Sequence, residues 1–322
     1  MNNMSQIKLF VLLAGVVSLA GTAPAEQTGT GHYTPGATAS FIDALPDRPG
    51  LVVENIFLNY NDANAGARLP FGHGEIALNL NANVYADSLF MMYTFTPKIL
   101  GGHYAVATSV PYEWSEVKVA GTVDILGVPH SGSRSDRISG LGDIEFWPFM
   151  LGWTNGDLKY DARCAVYAPS GSYDASRLAN VGLGYWTFEP ELTFGWLSSK
   201  IGTEVSVFAG MDFNTRNTDA DYQSGDIFHI DATVAQHLPL LGGTTGVGAN
   251  GFYYKQFTAD SGSGAKQLGS FEARSEGVGP AASYLHPIGS KQLAIEAKWL
   301  PQIGGKNTTK GSFFWIKIAL VF

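Results

Sequence analysis

Ser312-Phe313-Phe314-Trp315-Ile316-Lys317-Ile318-Ala319-Leu320-Val321-Phe322 reads as a strand with two different surroundings. At a period of two, Phe314, Ile316, Ile318, Leu320 and Phe322 share one wholly apolar face, while Phe313, Trp315, Lys317, Ala319 and Val321 share the other. A strand apolar on one side and carrying a lysine on the other suits a transmembrane β-barrel, where lipid-facing and lumen-facing residues alternate. It also suits the last strand of a soluble sandwich, so the rest of the chain has to decide.

The other end of the chain gives the compartment. Lys8, the apolar run 9–20 and Ala23-Pro24-Ala25 fit a secretory signal peptide cleaved after residue 25. Its apolar core is short for a membrane span, and no cysteine follows the cleavage site to accept a lipid. Loss of Lys8 with the leader takes the net charge from −8 to −9, which argues against nucleic acid as a partner. The single cysteine, Cys164, excludes an intramolecular disulfide framework and a cysteine-based zinc site. With 39 glycines, 12% aromatic residues and only 15% charged residues, the composition is unusual for a soluble domain. No segment after the leader has 18 continuous apolar residues, so a membrane crossing must be made by strands closed into a barrel.

Twelve strand-like runs follow residue 50: 51–61, 85–97, 103–117, 142–152, 157–169, 183–197, 201–214, 226–237, 244–257, 271–286, 291–302 and 312–322. The connections after the even-numbered runs are short (98–102, 153–156, 198–200, 238–243, 287–290). Those after the odd-numbered runs are longer and polar (62–84, 118–141, 170–182, 215–225, 258–270, 303–311). A sandwich gives no reason for this alternation, whereas an outer-membrane barrel has short periplasmic turns and long extracellular loops. The expected architecture is therefore a signal peptide (1–25), an amino-terminal segment (26–50) and an antiparallel up-and-down barrel of about twelve strands (51–322) in the bacterial outer membrane. One register conflict arises, since a tight turn at Asn155-Gly156 sets Asp143 and Glu145 opposite in phase to Lys159 and Arg163. A bulge near Pro148 would resolve it.

Ionisable residues recur on the side away from the apolar stripe. Asp143, Glu145, Lys159, Asp161, Arg163, Glu189, Glu191, Glu204, Asp212, His229, Asp231, Glu272, Arg274, Glu276, Glu296, Lys298 and Lys317 are thereby assigned to the lumen. A twelve-stranded bore lies between a filled small barrel and a water-filled porin. The expectation is an ion network that stiffens the lumen, with opposed charges paired because a buried unpaired charge is costly. Glu189 and Glu191 stand at a spacing open to acid–base chemistry, and His229, Asp231 and His237 share a face that would seed a metal site given a partner strand. Pro190 and the lumen setting favour a structural role for the glutamates. No partner strand is identifiable for the histidines, so no metal and no cofactor are expected.

The amino-terminal segment is rich in glycine and proline, yet carries Tyr33, Phe41, Ile42 and Leu45. It reads either as a linker or as a plug folded into the barrel, which would keep those side chains out of water. Phe252 and Tyr254, on one strand face near a long loop, are candidates for lining an apolar entrance.

Ser139-Gly140-Leu141-Gly142-Asp143, Pro148, Pro169-Ser170-Gly171-Ser172-Tyr173, Asn180-Val181-Gly182 and Trp186-Thr187-Phe188-Glu189-Pro190 resemble, in order and spacing, the phenol meta-pathway degradation family of bacterial outer-membrane proteins. This family includes MetA-like and SphA-like members. His32-Tyr33-Thr34-Pro35-Gly36-Ala37 and Leu45-Pro46 fit it as well, although Ser170 stands where the family pattern has threonine. The resemblance implies a barrel for uptake of aromatic or other hydrophobic compounds and brings no catalytic residues.

The function expected is thus passive uptake of small hydrophobic or aromatic solutes, without catalysis. A lipid-modifying enzyme, a non-conducting structural barrel and a surface receptor or adhesin stay open as alternatives. Expected partners are outer-membrane lipid, lipopolysaccharide near Arg134, Asp136 and Arg137, and the barrel-assembly machinery through Phe322.

Overall fold

Alternation makes each of these segments useful on both faces of one sheet, and the sheet closes on itself. The computed structural model describes residues 31–71, 74–125, 128–263, 265 and 272–322. The proposed leader at 1–25 lies outside them, as do residues 26–30. The strands are β1 (Gly50–Phe71), β2 (Gly74–Ile99), β3 (Gly102–Ile125), β4 in two pieces (Val128–Leu141 and Ile144–Asn155), β5 (Leu158–Ala168) and β6 (Thr187–Leu197). They continue as β7 (Thr203–Asn214), β8 (Ile227–Leu240), β9 (Gly243–Gln256), β10 (Arg274–Ile288), β11 (Lys291–Lys306) and β12 (Lys310–Val321). Every neighbour is antiparallel, and β12 returns to β1 from Val52 opposite Val321 to Asn64 opposite Lys310. Counting the interrupted β4 once gives a closed barrel of twelve strands. Closure leaves the spanning strands no free edge, which is what lets a sheet cross lipid.

The terminal strand has the faces its sequence predicts. Phe313, Trp315, Lys317 and Ala319 are buried inside, while Phe314 and Ile318 are exposed outside. Around the wall, Tyr85 sits opposite Trp114, Phe188 opposite Phe213 and Trp299 opposite Phe314, all outward. Toward the short turns, Trp153 stacks on Tyr160 with ring centroids 5.6 Å apart. Aromatic rings at these levels suit the two membrane–water boundaries.

Two long connections differ from expectation. The described residues of 62–84 and 118–141 are strand rather than loop. The β1–β2 pairing runs on to Phe71 opposite Gly74, and the β3–β4 pairing to Ile125 opposite Val128. Because β2 and β3 also stay paired as far as Ile76 opposite Val123, one side of the barrel continues as a tall sheet beyond the opposite wall. The alternation continues into this sheet, with Leu80, Ala82 and Val84 against Asn79, Asn81 and Asn83, and Val117 and Val119 against Lys118, and its apolar face packs on Leu178 and Ala179 rather than on lipid.

The interruption of β4 has a physical role. Its first piece pairs with the outer half of β3 and its second with the inner half, and the residues between them, Gly142 and Asp143, turn inward. The connection 169–186 folds against this break. Asp136 takes the Arg177 guanidinium at 2.7 Å and the Leu178 and Ala179 N–H groups, and Leu178 and Ala179 are buried.

The register conflict resolves as a bulge. Phe146 pairs with Val166 but Phe149 with Cys164, so one extra residue is accommodated around Pro148, bringing Glu145 and Trp147 to the same side as Arg163. Deleting Pro148 removes that residue and turns part of the strand inside out. The deletion variant is expected to give no folded, heat-modifiable band on a gel. Pro148→Ala keeps the count and is expected to fold.

A buried amino-terminal segment and the lumen it fills

Residues 31–49 lack regular structure apart from one short turn, Phe41–Asp43, and they run inside the barrel. An irregular chain in such a place needs partners for its backbone groups, since a buried unpaired N–H or C=O costs about as much as a lost hydrogen bond. The inward side chains of the wall supply them. Trp315 Nε1 donates to the Pro35 carbonyl at 3.0 Å and Lys298 Nζ to the Gly36 carbonyl at 2.6 Å. Lys317 Nζ donates to the Ala37 carbonyl and to Asp43 Oδ1.

From the facing wall, Asp231 accepts the Tyr33 hydroxyl at 2.7 Å and the Gly36 N–H at 2.8 Å. Glu204 accepts the Phe41 N–H at 2.8 Å, Glu191 the Thr38 hydroxyl at 3.3 Å and Asp161 the Leu45 N–H at 3.5 Å. Arg163 reaches the Asp43 carbonyl at 3.1 Å while holding Asp161 through two bonds of 2.7 and 2.8 Å. His32 bridges Thr187 at 2.7 Å and Asp143 at 3.0 Å. The close approach at Gly36 admits no side chain. Its φ is +81°, and a Cβ there would lie 2.4 Å from Leu300 Cδ1.

The predicted lumen residues therefore mostly gather on one structure, the docked segment. Lys298 pairs with Glu296 at 2.9 Å, and Lys317 lies 3.8 Å from the same carboxylate. Glu189 and Glu191 do not act as a pair. Glu189 accepts the Tyr167 hydroxyl at 2.8 Å and faces His229, whereas Glu191 faces Arg163 at 3.4 Å. His237 meets Glu204 at 2.7 Å, apart from His229. Lys159 is half-exposed at the inner mouth, 4.0 Å from Asp47.

Some assignments are corrected. Glu272, Arg274 and Glu276 are not in the lumen: Glu272 and Arg274 are exposed, and Arg274 meets Glu276 at 3.5 Å on the outer side of β10. In β10 the inward positions are Ser275, Gly277 and Ala281, residues too small or too mild to mark a face by sequence. Phe252 and Tyr254 line no entrance. They are buried against the segment and the adjoining wall, Tyr254 edge-on to Tyr33 and Phe252 edge-on to Phe313.

Of the segment's own apolar residues, Tyr33 and Leu45 are buried, and Phe41 and Ile42 partly so. Tyr33 stacks on His229 with centroids 4.0 Å apart, and burial together with the nearby Asp231 carboxylate pushes its hydroxyl pKa well above the usual range. Asp43, His32 and Trp315 are docking residues that sequence reasoning passed over. The His32–Ala37 motif was visible, and a lysine facing inward on β12 already demanded a carboxylate.

Between the segment and the wall lies a cavity of about 500 Å³. One side is apolar, with Val52, Leu58, Val84, Phe90, Met92 and Trp147, and the other carries Glu145, Glu189 and Arg163. Its lining follows β1 from Tyr60 to Val52, roughly 26 Å of strand at about 3.3 Å per residue.

A closed antiparallel barrel with aromatic belts, an apolar outer face and a charged, occupied lumen defines a bacterial outer-membrane β-barrel protein. The chain belongs to the family described as "Putative MetA-pathway of phenol degradation", whose model matches residues 61–318. Among solved structures it is similar to an outer membrane channel from Pseudomonas putida F1, at 13% identity and a TM-score of 0.56, over 90% of this chain and 100% of that one. The β-domain of the Bordetella autotransporter BrkA matches at 11% identity and a TM-score of 0.46, over 85% and 100%. No curated protein sequence matches the chain.

Burial alone would raise the pKa of Asp43, but Lys317 and then Lys298 stand against it and bring the carboxyl from 3.8 down to about 2. A depressed pKa means that this stabilisation is complete above about pH 4 and is lost as pH falls through about 2. The gap in heat-modification midpoint between wild type and Asp43→Asn is expected to be wide at pH 5 and to close toward pH 2. Asp43→Ala, which strips the buried Lys317 of its main partner, is expected to destabilise the folded protein by about 3–5 kcal/mol.

Proposed function

We propose that the barrel lets small hydrophobic or aromatic solutes diffuse passively across the outer membrane, and that residues 31–47 act as its plug. The observation that carries this reading is the cavity beside the plug. It is of the size of a small-molecule site, and its mixed lining sets apolar side chains such as Leu58, Phe90 and Trp147 beside many ionisable ones, among them Glu54, Glu113, Glu145, Glu189 and Arg163. Because its lining follows β1 for much of the spanning length, it offers a track, apolar except for Glu54, past a segment that fills much of the remaining bore. The family's connection with phenol degradation points to aromatic solutes.

The plug separates this reading from that of an inert barrel. A docked segment leaves ions little room, so the intact protein should conduct weakly in planar bilayers while still admitting phenol-sized solutes to liposomes. Deleting residues 31–47 is expected to leave a heat-modifiable barrel whose ion conductance rises several-fold. Unchanged conductance in a folded deletion variant would leave the charged wall as the gate. Failure of the intact protein to pass any aromatic solute would favour the non-conducting structural barrel.

A second variant probes the track itself. Ala86 lines the cavity and faces inward from β2, and Ala86→Trp should narrow the passage without touching the docking contacts of the segment. The expected result is slower aromatic influx with conductance little changed, measured on the same liposomes and bilayers.

A further inference from the structure

One lumen cluster takes no direct hydrogen bond from the backbone of the docked segment. Glu189 on β6, Asp212 on β7 and His229 on β8 come from three consecutive strands and are buried. His229 Nε2 lies 3.2 Å from Glu189 Oε1 and 3.5 Å from Asp212 Oδ1, and one donor atom from each residue falls within 4.8 Å of the other two. Asp212 is 0% exposed and His229 1%. Even so, neither carboxylate oxygen of Asp212 and neither ring nitrogen of His229 has a hydrogen-bond partner among the described residues. The contacts have ion-pair distances without hydrogen-bond alignment, and buried polar groups left in that condition are costly.

We propose that Glu189, Asp212 and His229 form a binding site for a divalent first-row transition cation such as Zn2+. Ligand atoms about 2.1 Å from a tetrahedral ion stand roughly 3.4 Å from each other, which agrees with the separations of His229 Nε2 from the two carboxylates. Two carboxylates and one imidazole supply a charge of −2 when ionised. The nitrogen ligand favours Zn2+ or a similar ion over Mg2+, and the lack of thiolate disfavours Cu(I).

The surroundings are those of a supported ligand set. Tyr167 donates to Glu189 Oε2 at 2.8 Å, which orients the carboxylate and leaves Oε1 toward the site. Tyr33 stacks on the His229 ring, so the amino-terminal segment covers one face of a ligand. Gly210 lies opposite His229 on the neighbouring strand, and a Cβ there would come within 2.5 Å of His229 Nε2 and Cε1. The missing side chain keeps the coordinating edge of the imidazole clear. Three protein ligands would leave the fourth position of a tetrahedral ion to water or a solute group, and the cavity reaches Glu189. The site stands independently of the transport reading.

The test is calorimetric titration of the full mature barrel, stripped with chelator, with ZnCl2 and with MgCl2 as control. One Zn2+ per barrel is expected, with no comparable Mg2+ binding. Asp212→Asn and His229→Gln should each weaken Zn2+ binding about 100-fold, and Gly210→Ala, which keeps all three ligands, about 10-fold or more. Heat-modifiable migration checks folding, and Glu189→Gln replaces any variant that does not fold. Absence of Zn2+ binding by the wild type would overturn the site and leave His229 as an ion-pair partner of the two carboxylates. So would unchanged binding in the folded variants, which would assign the ion to surface histidines.

Discussion

An irregular peptide inside a β-barrel satisfies only part of its own backbone, and the rest of this structure follows from that constraint. A strand spends its N–H and C=O groups on its neighbours, so the wall has only side chains to offer the lumen. Pro35, Gly36 and Ala37 present carbonyls to Trp315, Lys298 and Lys317 on β11 and β12. Gly36, Phe41 and Leu45 present N–H groups to Asp231, Glu204 and Asp161 on the opposite wall. Apart from Arg163, which reaches the Asp43 carbonyl from the acceptor wall, donors gather on one side and acceptors on the other, because a trans peptide points its C=O and N–H in opposite directions.

The same arrangement explains the acidic surplus of the lumen. A bare bore lined by carboxylates would repel itself, and buried charges need partners to be tolerable. Here the carboxylates face backbone N–H groups, Tyr33, Arg163 and the histidines, while Lys298 and Lys317 share Glu296 and Asp43. The docked segment therefore belongs to the electrostatic structure of the barrel. It also makes the lumen lopsided: bonded to β5 through β8 on one side and to β11 and β12 on the other, it leaves the apolar wall of β1 and β2 facing a cavity.

The wall was readable because lipid imposes a simple rule on it. Where Leu192, Phe194 and Phe188 must face hydrocarbon, Glu189 and Glu191 can only face inward, and period two follows. The alternation runs on past the wall, from Ile76 to Val84 and from Val117 to Ile125, but the polar residues of the 62–84 and 118–141 hairpins read as loop, and Glu272, Arg274 and Glu276 do not face the lumen expected for them. The bulge at Pro148 was legible for a different reason. A register conflict between two charged pairs has few remedies, and a proline within a strand marks one of them.

The sequence alone determined the lipid-crossing strands, their alternating faces and the inward side of most charged residues assigned to the lumen, because each of these is a local response to solvent or lipid. Which charge meets which partner was decided only by tertiary structure. Asp43 and Lys317 are 274 positions apart, and Tyr33 finds Asp231 across 198. Glu189, Asp212 and His229 converge because the registers of three strands bring them to one level, with Gly210 leaving room for the imidazole. Strand register and the path of an irregular segment are cooperative properties of the closed barrel, and period two says which way a side chain points but not what it will meet.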